Sequence, residues 1–181
     1  MDYYSLPENM STPPLPSSLG PNTTCTEVKR TQIDDPKSTQ TVLTRVYYEE
    51  FQCVKALYSD TDNYCPKFSL TDLISAYISL AFTQDNPESL IFSYLHTELL
   101  LRDQRTPRRQ QEIWKPQYSL LLALQRSPLN CQPHPHFSLD HFTTACIAIV
   151  LKKGVSKSEI FGHARKNTAA RSTGLESLPQ K

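Results

Sequence analysis

Apolar residues recur with strand and helix spacing through the middle of the chain, whereas both ends lack a regular apolar period. Short β-prone runs occur at 41–47 and, with fewer apolar residues, at 109–114. Each run is followed by a stretch with helical spacing, a polar turn and a second helical stretch. The pattern therefore predicts a strand–helix–helix unit twice, with one further helix over 87–103 between the two units.

Local end signals place the helices. Glu49 and Glu50 suit the positive N-terminus of the first helix of unit one, and Pro116 suits the first turn of its counterpart in unit two. Ser69 and Ser138 stand where the second helix of each unit begins, and each can cap it. Another short helix is expected at about 156–166.

The two units align with each other as an internal repeat. Residues 46–57 match residues 113–124 at an offset of 67, and residues 68–81 match 137–150 at an offset of 69. Aromatic residues coincide at Tyr47 and Trp114, and both units have Ala-Leu at the same place. A change of two residues in the intervening loop costs little free energy.

Composition divides the chain into three parts. Residues 1–40 hold 6 of the 14 prolines and have five acids against three bases, so they are expected to be disordered. Residues 41–150 hold the folded part: repeat one at 41–84, the linker helix at 87–103, and repeat two at 108–151. Residues 152–181 have seven bases against two acids and form a basic tail. The whole chain is net +1, so 41–150 is net −2.

Several classes of protein are disfavoured by composition. No apolar run is long enough to span a membrane, and the N-terminus lacks the pattern of a signal peptide. The five scattered cysteines indicate reduced thiols, and hence a cytoplasmic protein. No glycine-rich phosphate loop occurs.

Candidate chemistry for catalysis or metal binding is weak. Cys131, His134, His136 and His141 have atoms suited to zinc, but Pro133 and Pro135 separate them and no second cysteine pair is present. No third group orients a cysteine–histidine pair for nucleophilic catalysis. No metal, cofactor or catalytic residue is therefore assigned, and the protein is not expected to be an enzyme.

A strand and two helices, present twice, resemble the ribbon-helix-helix proteins, the class of the Arc and MetJ repressors. With both copies in one chain, 41–150 is similar to the tandem ribbon-helix-helix proteins of conjugation and T-DNA transfer, namely TraY-like relaxosome accessory proteins and the VirC-type border-processing accessory protein. The glycine usual between the two helices is replaced by longer loops with proline. The implied fold is mainly α with a short two-stranded antiparallel ribbon, a single-chain pseudo-dimer.

The resemblance implies that the ribbon enters the major groove of duplex DNA. Two facings of the strands are compatible with the sequence, because side chains alternate across a strand. With Tyr47 and Trp114 inward, the outward residues are Val42, Thr44, Val46, Arg109, Gln111 and Ile113. With Val46 and Ile113 inward, they are Leu43, Arg45, Tyr47, Gln110, Glu112 and Trp114. The first facing offers better donors and is favoured. The candidate base-reading residues are Thr44, Arg45, Arg109 and Gln111.

The resemblance also suggests contacts with phosphates at the start of each second helix, where free N–H groups and the helix dipole favour anions. The candidate phosphate-binding residues are Lys67, Ser69, Thr71, His136, Ser138, Arg108, Lys152 and Lys153. Ordinary helix capping by the two serines, and ordinary solvent-exposed charge, are the alternatives.

The functional hypothesis is non-catalytic binding of double-stranded DNA, either in transcriptional repression or in DNA processing for transfer. A relaxase or another DNA-processing protein is a possible partner. The chain is expected to act as a monomeric pseudo-dimer or to form a higher assembly on DNA, away from membranes. The alternative is a helical adaptor that binds another protein through 88–103 and lacks a paired ribbon.

Overall fold

The two predicted strands are extended and paired with each other. A computed structural model describes residues 40–103, 105–131 and 137–173. Strand β1 (Thr41–Tyr47) runs antiparallel to strand β2 (Arg108–Trp114), with Thr44 opposite Gln111 at the centre. The expectation of a short antiparallel ribbon in a mainly helical fold is confirmed.

Each strand leads directly into a helix, and a loop connects that helix to a second one. The helices of the first half are α1 (Tyr48–Tyr58) and α2 (Leu70–Phe82), and those of the second half are α4 (Lys115–Gln125) and α5 (Leu139–Lys152). Ser69 and Ser138 are the N-cap residues of α2 and α5, as the sequence indicates. A short 3₁₀ turn, Pro128–Cys131, lies between α4 and α5.

The connection between the halves differs from the single helix expected over 87–103. Helix α3 (Pro87–Tyr94) is followed by one π-helical turn, Leu95–Leu99, after which the chain leaves the helix. Arg102 then makes hydrogen bonds to the buried carboxylate of Glu50 at 3.0 Å and to the Tyr94 hydroxyl at 2.9 Å. This ion pair secures the segment that leads into β2.

The last helix, α6 (Lys157–Ser172), is longer than the sequence suggests. Gly154 has a positive φ of 65°, and its N–H donates to the carbonyl of Leu151, so the chain turns sharply after α5. Phe161 of α6 then stacks on Phe68 at a ring distance of 5.9 Å. The part of 152–181 expected to be a loose tail is therefore helical up to Ser172.

The core is centred on α2 and α5, which contact each other. These helices are buried on nearly all sides, which explains why apolar residues are so dense in both sequences. The fully buried larger side chains include Leu73, Ile74, Ile78, Leu80, Phe142 and Ile147. Val46 and Ile113 of the ribbon join the same core with no exposed surface.

Each strand packs on the second helix of the other half. The N–H of Tyr47, at the end of β1, donates to Thr144 Oγ1 of α5 at 3.2 Å. The N–H of Trp114, at the end of β2, donates to Ser75 Oγ of α2 at 3.2 Å. The two halves are therefore interlocked, and the ribbon lies over the N-terminal parts of α2 and α5.

The loops between the paired helices repeat the same hydrogen bonds. The amide of Asn63 donates to the carbonyls of Tyr58 and Phe68, and its oxygen accepts the N–H of Phe68 at 2.8 Å. The amide of Asn130 donates to the carbonyls of Gln125 and Phe137, and its oxygen accepts the N–H of Phe137 at 2.8 Å. Both asparagines are buried. These matching contacts support the internal repeat.

Two expectations concern other parts of the chain. Of the segment 1–40 that was expected to be disordered, residues 1–39 lie outside the described residues. Among the helices that the structure describes, none has both the length and the apolar character that crossing a membrane requires.

Substitution of either loop asparagine is expected to destabilise the fold to a similar degree. Asn63→Ala and Asn130→Ala each leave one N–H and two carbonyls unpaired, which should lower the free energy of unfolding by about 2 kcal/mol. Chemical denaturation followed by circular dichroism measures this loss. Tyr64→Ala is the control, since Tyr64 lies beside Asn63 and is 84% exposed, and it should change stability by less than about 0.5 kcal/mol. A change at only one asparagine would contradict equivalent roles for the two loops.

Candidate nucleic-acid interface

The ribbon has one face against the helices and one face free. Val46 and Ile113 are fully buried, and Thr44 is 4% exposed with its hydroxyl 3.0 Å from that of Thr143 in α5. Opposed residues of an antiparallel pair share a face, and neighbours along a strand alternate between faces. The outer face therefore contains Thr41, Leu43, Arg45, Tyr47, Arg108, Gln110, Glu112 and Trp114.

This geometry corrects the favoured facing of the strands. Thr44 and Gln111 form the central pair of the inner face, so neither projects from the outer surface of the ribbon. Arg109 is exposed, but it pairs with Val46 on the inner face and its guanidinium lies 5.5 Å from the ring centre of Tyr48. Arg45 is the only one of the four candidate base-reading residues on the outer face.

At one end of the outer face, Tyr47 and Arg108 contact each other directly. The Arg108 guanidinium lies 4.6 Å from the ring centre of Tyr47 and donates to its hydroxyl at 2.8 Å. Arg108 also pairs with Asp140 of α5 at 3.4 Å. Asp140 accepts the N–H of Arg45 at 3.0 Å as well, so this end is closely tied to the start of α5.

The opposite end has an equivalent arrangement with different residues. Trp114 Nε1 donates to Asp72 of α2 at 2.9 Å, and the Arg171 guanidinium of α6 stacks 3.9 Å from the Trp114 ring centre. Arg171 also donates to Asp72 at 2.7 Å. Burial acts to raise the pKa of Asp72, but hydrogen bonds from Ser69 and Trp114 and the charge of Arg171 outweigh it and lower that pKa.

Between these ends, four side chains project from the ribbon without a polar partner among the described residues. Leu43 is 58% exposed, and it pairs across the ribbon with the exposed Glu112. Arg45 pairs with Gln110, and both are exposed. None of these four side chains makes a hydrogen bond or ion pair to another described residue. The centre of the ribbon therefore presents a donor, an amide, a carboxylate and an apolar group to solvent.

The starts of α2 and α5 are already occupied by side chains of the chain itself. Asp72 accepts hydrogen bonds from the N–H of Ser69 at 3.0 Å and from its hydroxyl at 2.6 Å. His141 Nδ1 lies 3.0 Å from both the N–H and the hydroxyl of Ser138. Helix capping thus accounts for both serines. Thr71 is half-buried in the first turn of α2.

The predicted phosphate-binding residues do not lie on one surface. Lys152 and Lys153 are at the C-terminal end of α5, about 18 Å along the helix from Asp140 at the ribbon. They pair with Glu98 and Gln84 respectively. These two lysines therefore lie at the end of α5 that is remote from the ribbon, and their contact with phosphates stays a prediction.

The remaining predicted residues have different surroundings. Arg108 is half-buried and held by Tyr47 and Asp140, so its guanidinium is engaged in fixing the end of the ribbon to α5. Lys67 is exposed near the start of α2, with its ammonium 5.6 Å from the ring centre of Tyr58. His136 lies outside the described residues.

The possible zinc site has no support from the described part of the chain. His134 and His136 lie outside it, and within it no group of three or more histidine, cysteine or acidic side chains could hold a metal. The Nδ1 atom of His141 is already engaged with Ser138. Cys146 is fully buried, and burial raises the pKa of its thiol well above the usual value, which makes it an unreactive core residue.

Comparisons with known proteins add no assignment. No protein-family model matches the chain, and no curated protein or solved structure is significantly similar to it.

Sequence reasoning did not select three of the four projecting residues. Leu43, Gln110 and Glu112 belong to the facing in which Val46 and Ile113 are buried. The signal that identifies this facing is the match of β-branched Val46 with β-branched Ile113 in the two repeats, since such residues commonly pack beneath a strand.

His141 predicts a pH-dependent loss of stability. Its pKa is lowered by burial and by Arg108, against an opposing effect of Asp140. The folded protein therefore resists protonation of His141, so this contribution is present above the unfolded pKa of about 6.5 and is lost as the pH falls through the lower folded pKa. Denaturation of the wild type should show this loss as the pH falls from about 7.5 through the unfolded pKa of about 6.5 and on to the lower folded pKa.

His141→Gln keeps a side chain that can cap the helix but does not titrate, so its loss over the same range should be smaller. The pKa of His163 is lowered too, mainly by burial and also by Lys166, against an opposing effect of Glu159. His163→Gln is therefore the matched control for the remaining pH dependence. The assignment to His141 is refuted if His141→Gln loses as much stability as the wild type.

Proposed function

We propose that the chain binds double-stranded DNA, without catalysis, through the outer face of its ribbon. The observation that carries the proposal is the set of four side chains at the centre of that face that have no polar partner in the described part of the chain, Leu43, Arg45, Gln110 and Glu112. A two-stranded ribbon fits the major groove, where such side chains meet the edges of bases. The strand–helix–helix order in each half supports a single-chain ribbon-helix-helix pseudo-dimer.

The support of the ribbon at both ends favours its use as a DNA-binding surface. The aromatic residues at its two ends are fixed by Arg108 and Arg171, and both strands donate N–H groups to helix hydroxyls beneath them. A recognition surface supported in this way needs little ordering when it binds, which reduces the entropic cost.

Charge sets the expected strength of binding. The exposed Arg109 and Lys115 stand at the beginning and just beyond the end of β2, so they flank the ribbon and can contact phosphates on either side. The centre of the outer face adds one positive and one negative charge, from Arg45 and Glu112. We therefore expect modest affinity with a strong dependence on salt.

The cellular role that fits this activity is transcriptional repression or assistance to DNA processing for transfer, in the cytoplasm. A relaxase or another DNA-processing protein is the protein partner that the second role requires.

A helical adaptor is the alternative function. Leu100 and Leu101 after the π-helical turn are 43% and 82% exposed, which gives this alternative one specific observation. However, Ile91, Leu95 and Leu99 of the same segment are buried in the core. Most of the apolar surface of this segment is therefore buried in the core and is not free to bind a partner. This favours the ribbon as the binding surface.

Binding to duplex DNA by the purified full chain tests the proposal. Fluorescence anisotropy with a labelled genomic-fragment pool should detect binding at about 50 mM salt that weakens by at least tenfold at about 200 mM. Arg45→Ala with Gln110→Ala should weaken binding by roughly tenfold or more, because two potential base contacts are lost.

The control replaces exposed residues away from the ribbon. Leu100→Ser with Leu101→Ser should leave DNA binding unchanged, whereas an adaptor acting through this segment would lose its protein partner. Circular dichroism checks that both double variants stay folded. Absence of duplex binding by the folded wild type at low salt would overturn the proposal.

A further inference from the structure

The four projecting residues are not equivalent under the symmetry of the ribbon. The strand pairing is centred on Thr44 and Gln111, so a two-fold rotation there exchanges Arg45 with Glu112 and Leu43 with Gln110. A symmetric ribbon would present the same residue at both positions of each exchanged pair. This chain instead presents opposite charges in one pair, and an apolar group with an amide in the other.

We infer that the DNA site read by this ribbon is non-palindromic, with guanine on the same strand at both of the symmetry-related positions that Arg45 and Glu112 face. This inference rests on the proposed function and specifies its substrate. A palindrome would instead have guanine at one of these positions and cytosine at the other on that strand.

The chemistry of the base edges leads to this pattern. Guanine offers two acceptors in the major groove, which suit the guanidinium of Arg45. Those same acceptors would face the carboxylate of Glu112 if the site were a palindrome, and two acceptors repel each other. Cytosine offers an amino donor, which suits Glu112, and its partner on the other strand is then guanine.

The second exchanged pair favours the same kind of asymmetry. Gln110 has the donor and acceptor that match the edge of adenine, whereas the Leu43 side chain suits the methyl group of thymine. Adenine facing Gln110 and thymine facing Leu43 place adenine on one strand at both related positions. Both pairs therefore select against a palindrome.

The four projecting side chains have no role in stabilising the described part of the fold that would explain their identities. The four side chains make no hydrogen bond or ion pair to other described residues, while the end pairs of the ribbon carry the contacts to Asp72 and Asp140. Arg45 and Glu112 lie diagonally on the outer face, and no ion pair joins them in the part of the chain that the structure describes.

Selection from a library of random duplexes by the full-length chain tests the inference. The recovered site should lack two-fold symmetry. Two palindromes, each built from one half of that site, should bind more weakly than the selected site by roughly tenfold or more, since each loses the matched contacts of one half.

A symmetrised variant supplies the complementary test. Leu43→Gln with Glu112→Arg gives both halves the same residues at the four central outer positions, and it changes only exposed residues. This variant should prefer the palindrome built from the Arg45 half over the wild-type site, by roughly tenfold. The matched control is Leu100→Ser with Leu101→Ser, which should keep the wild-type preference.

The outcomes separate the inference from the proposed function. Recovery of a palindromic site by the wild type, or an unchanged preference in the symmetrised variant, would overturn the inference. Salt-dependent binding without sequence preference would also overturn it, while duplex binding itself would stand. Failure to bind any duplex at low salt would overturn both.

Discussion

The rest of the structure depends on the pairing of two strands that lie far apart in the chain. A two-stranded ribbon is only marginally stable in water, so it needs support from beneath. That support comes from hydroxyls of the opposite half: Thr144 accepts the N–H of Tyr47, and Ser75 accepts that of Trp114. Because each half holds the strand of the other, folding of the ribbon requires both, and a unit of about 45 residues is too small to bury a stable core alone.

Local signals in the sequence were sufficient to place most of the elements. Ser69 and Ser138 start the helices that they were expected to start, and both strands lie within a residue of their expected bounds. The end of α3 was not predictable, because apolar spacing over one turn does not distinguish α-helix from the π-helical turn at Leu95–Leu99. The matching roles of Asn63 and Asn130 were also not predictable, since their partners are backbone groups that any sequence possesses.

The facing of the ribbon was mispredicted for a physical reason. Because Tyr47 and Trp114 are aromatic, they and the strand residues on the same face were expected to point towards the core. Each of them, however, is the last strand residue and the N-cap of the next helix, with ψ near 147°, where the chain leaves the ribbon. Tyr47 belongs to the outer face of the ribbon, but its ring is buried against the Arg108 guanidinium. Thr44, which is polar, lies on the inner face because Thr143 satisfies its hydroxyl.

The end residues of the ribbon contact the helices, whereas its central outer residues project into solvent. This difference explains how the outer face can be asymmetric without loss of stability. The end pairs of the ribbon bind Asp72 and Asp140 through polar atoms, and Arg171 stacks on the Trp114 ring, so a substitution there would leave a partly buried partner unpaired. The central residues have no such partners within 40–103, 105–131 and 137–173, so a change of charge at Arg45 or Glu112 leaves no buried group of these ranges unpaired. Recognition can therefore differ between the halves, while the contacts that fix the ribbon remain equivalent.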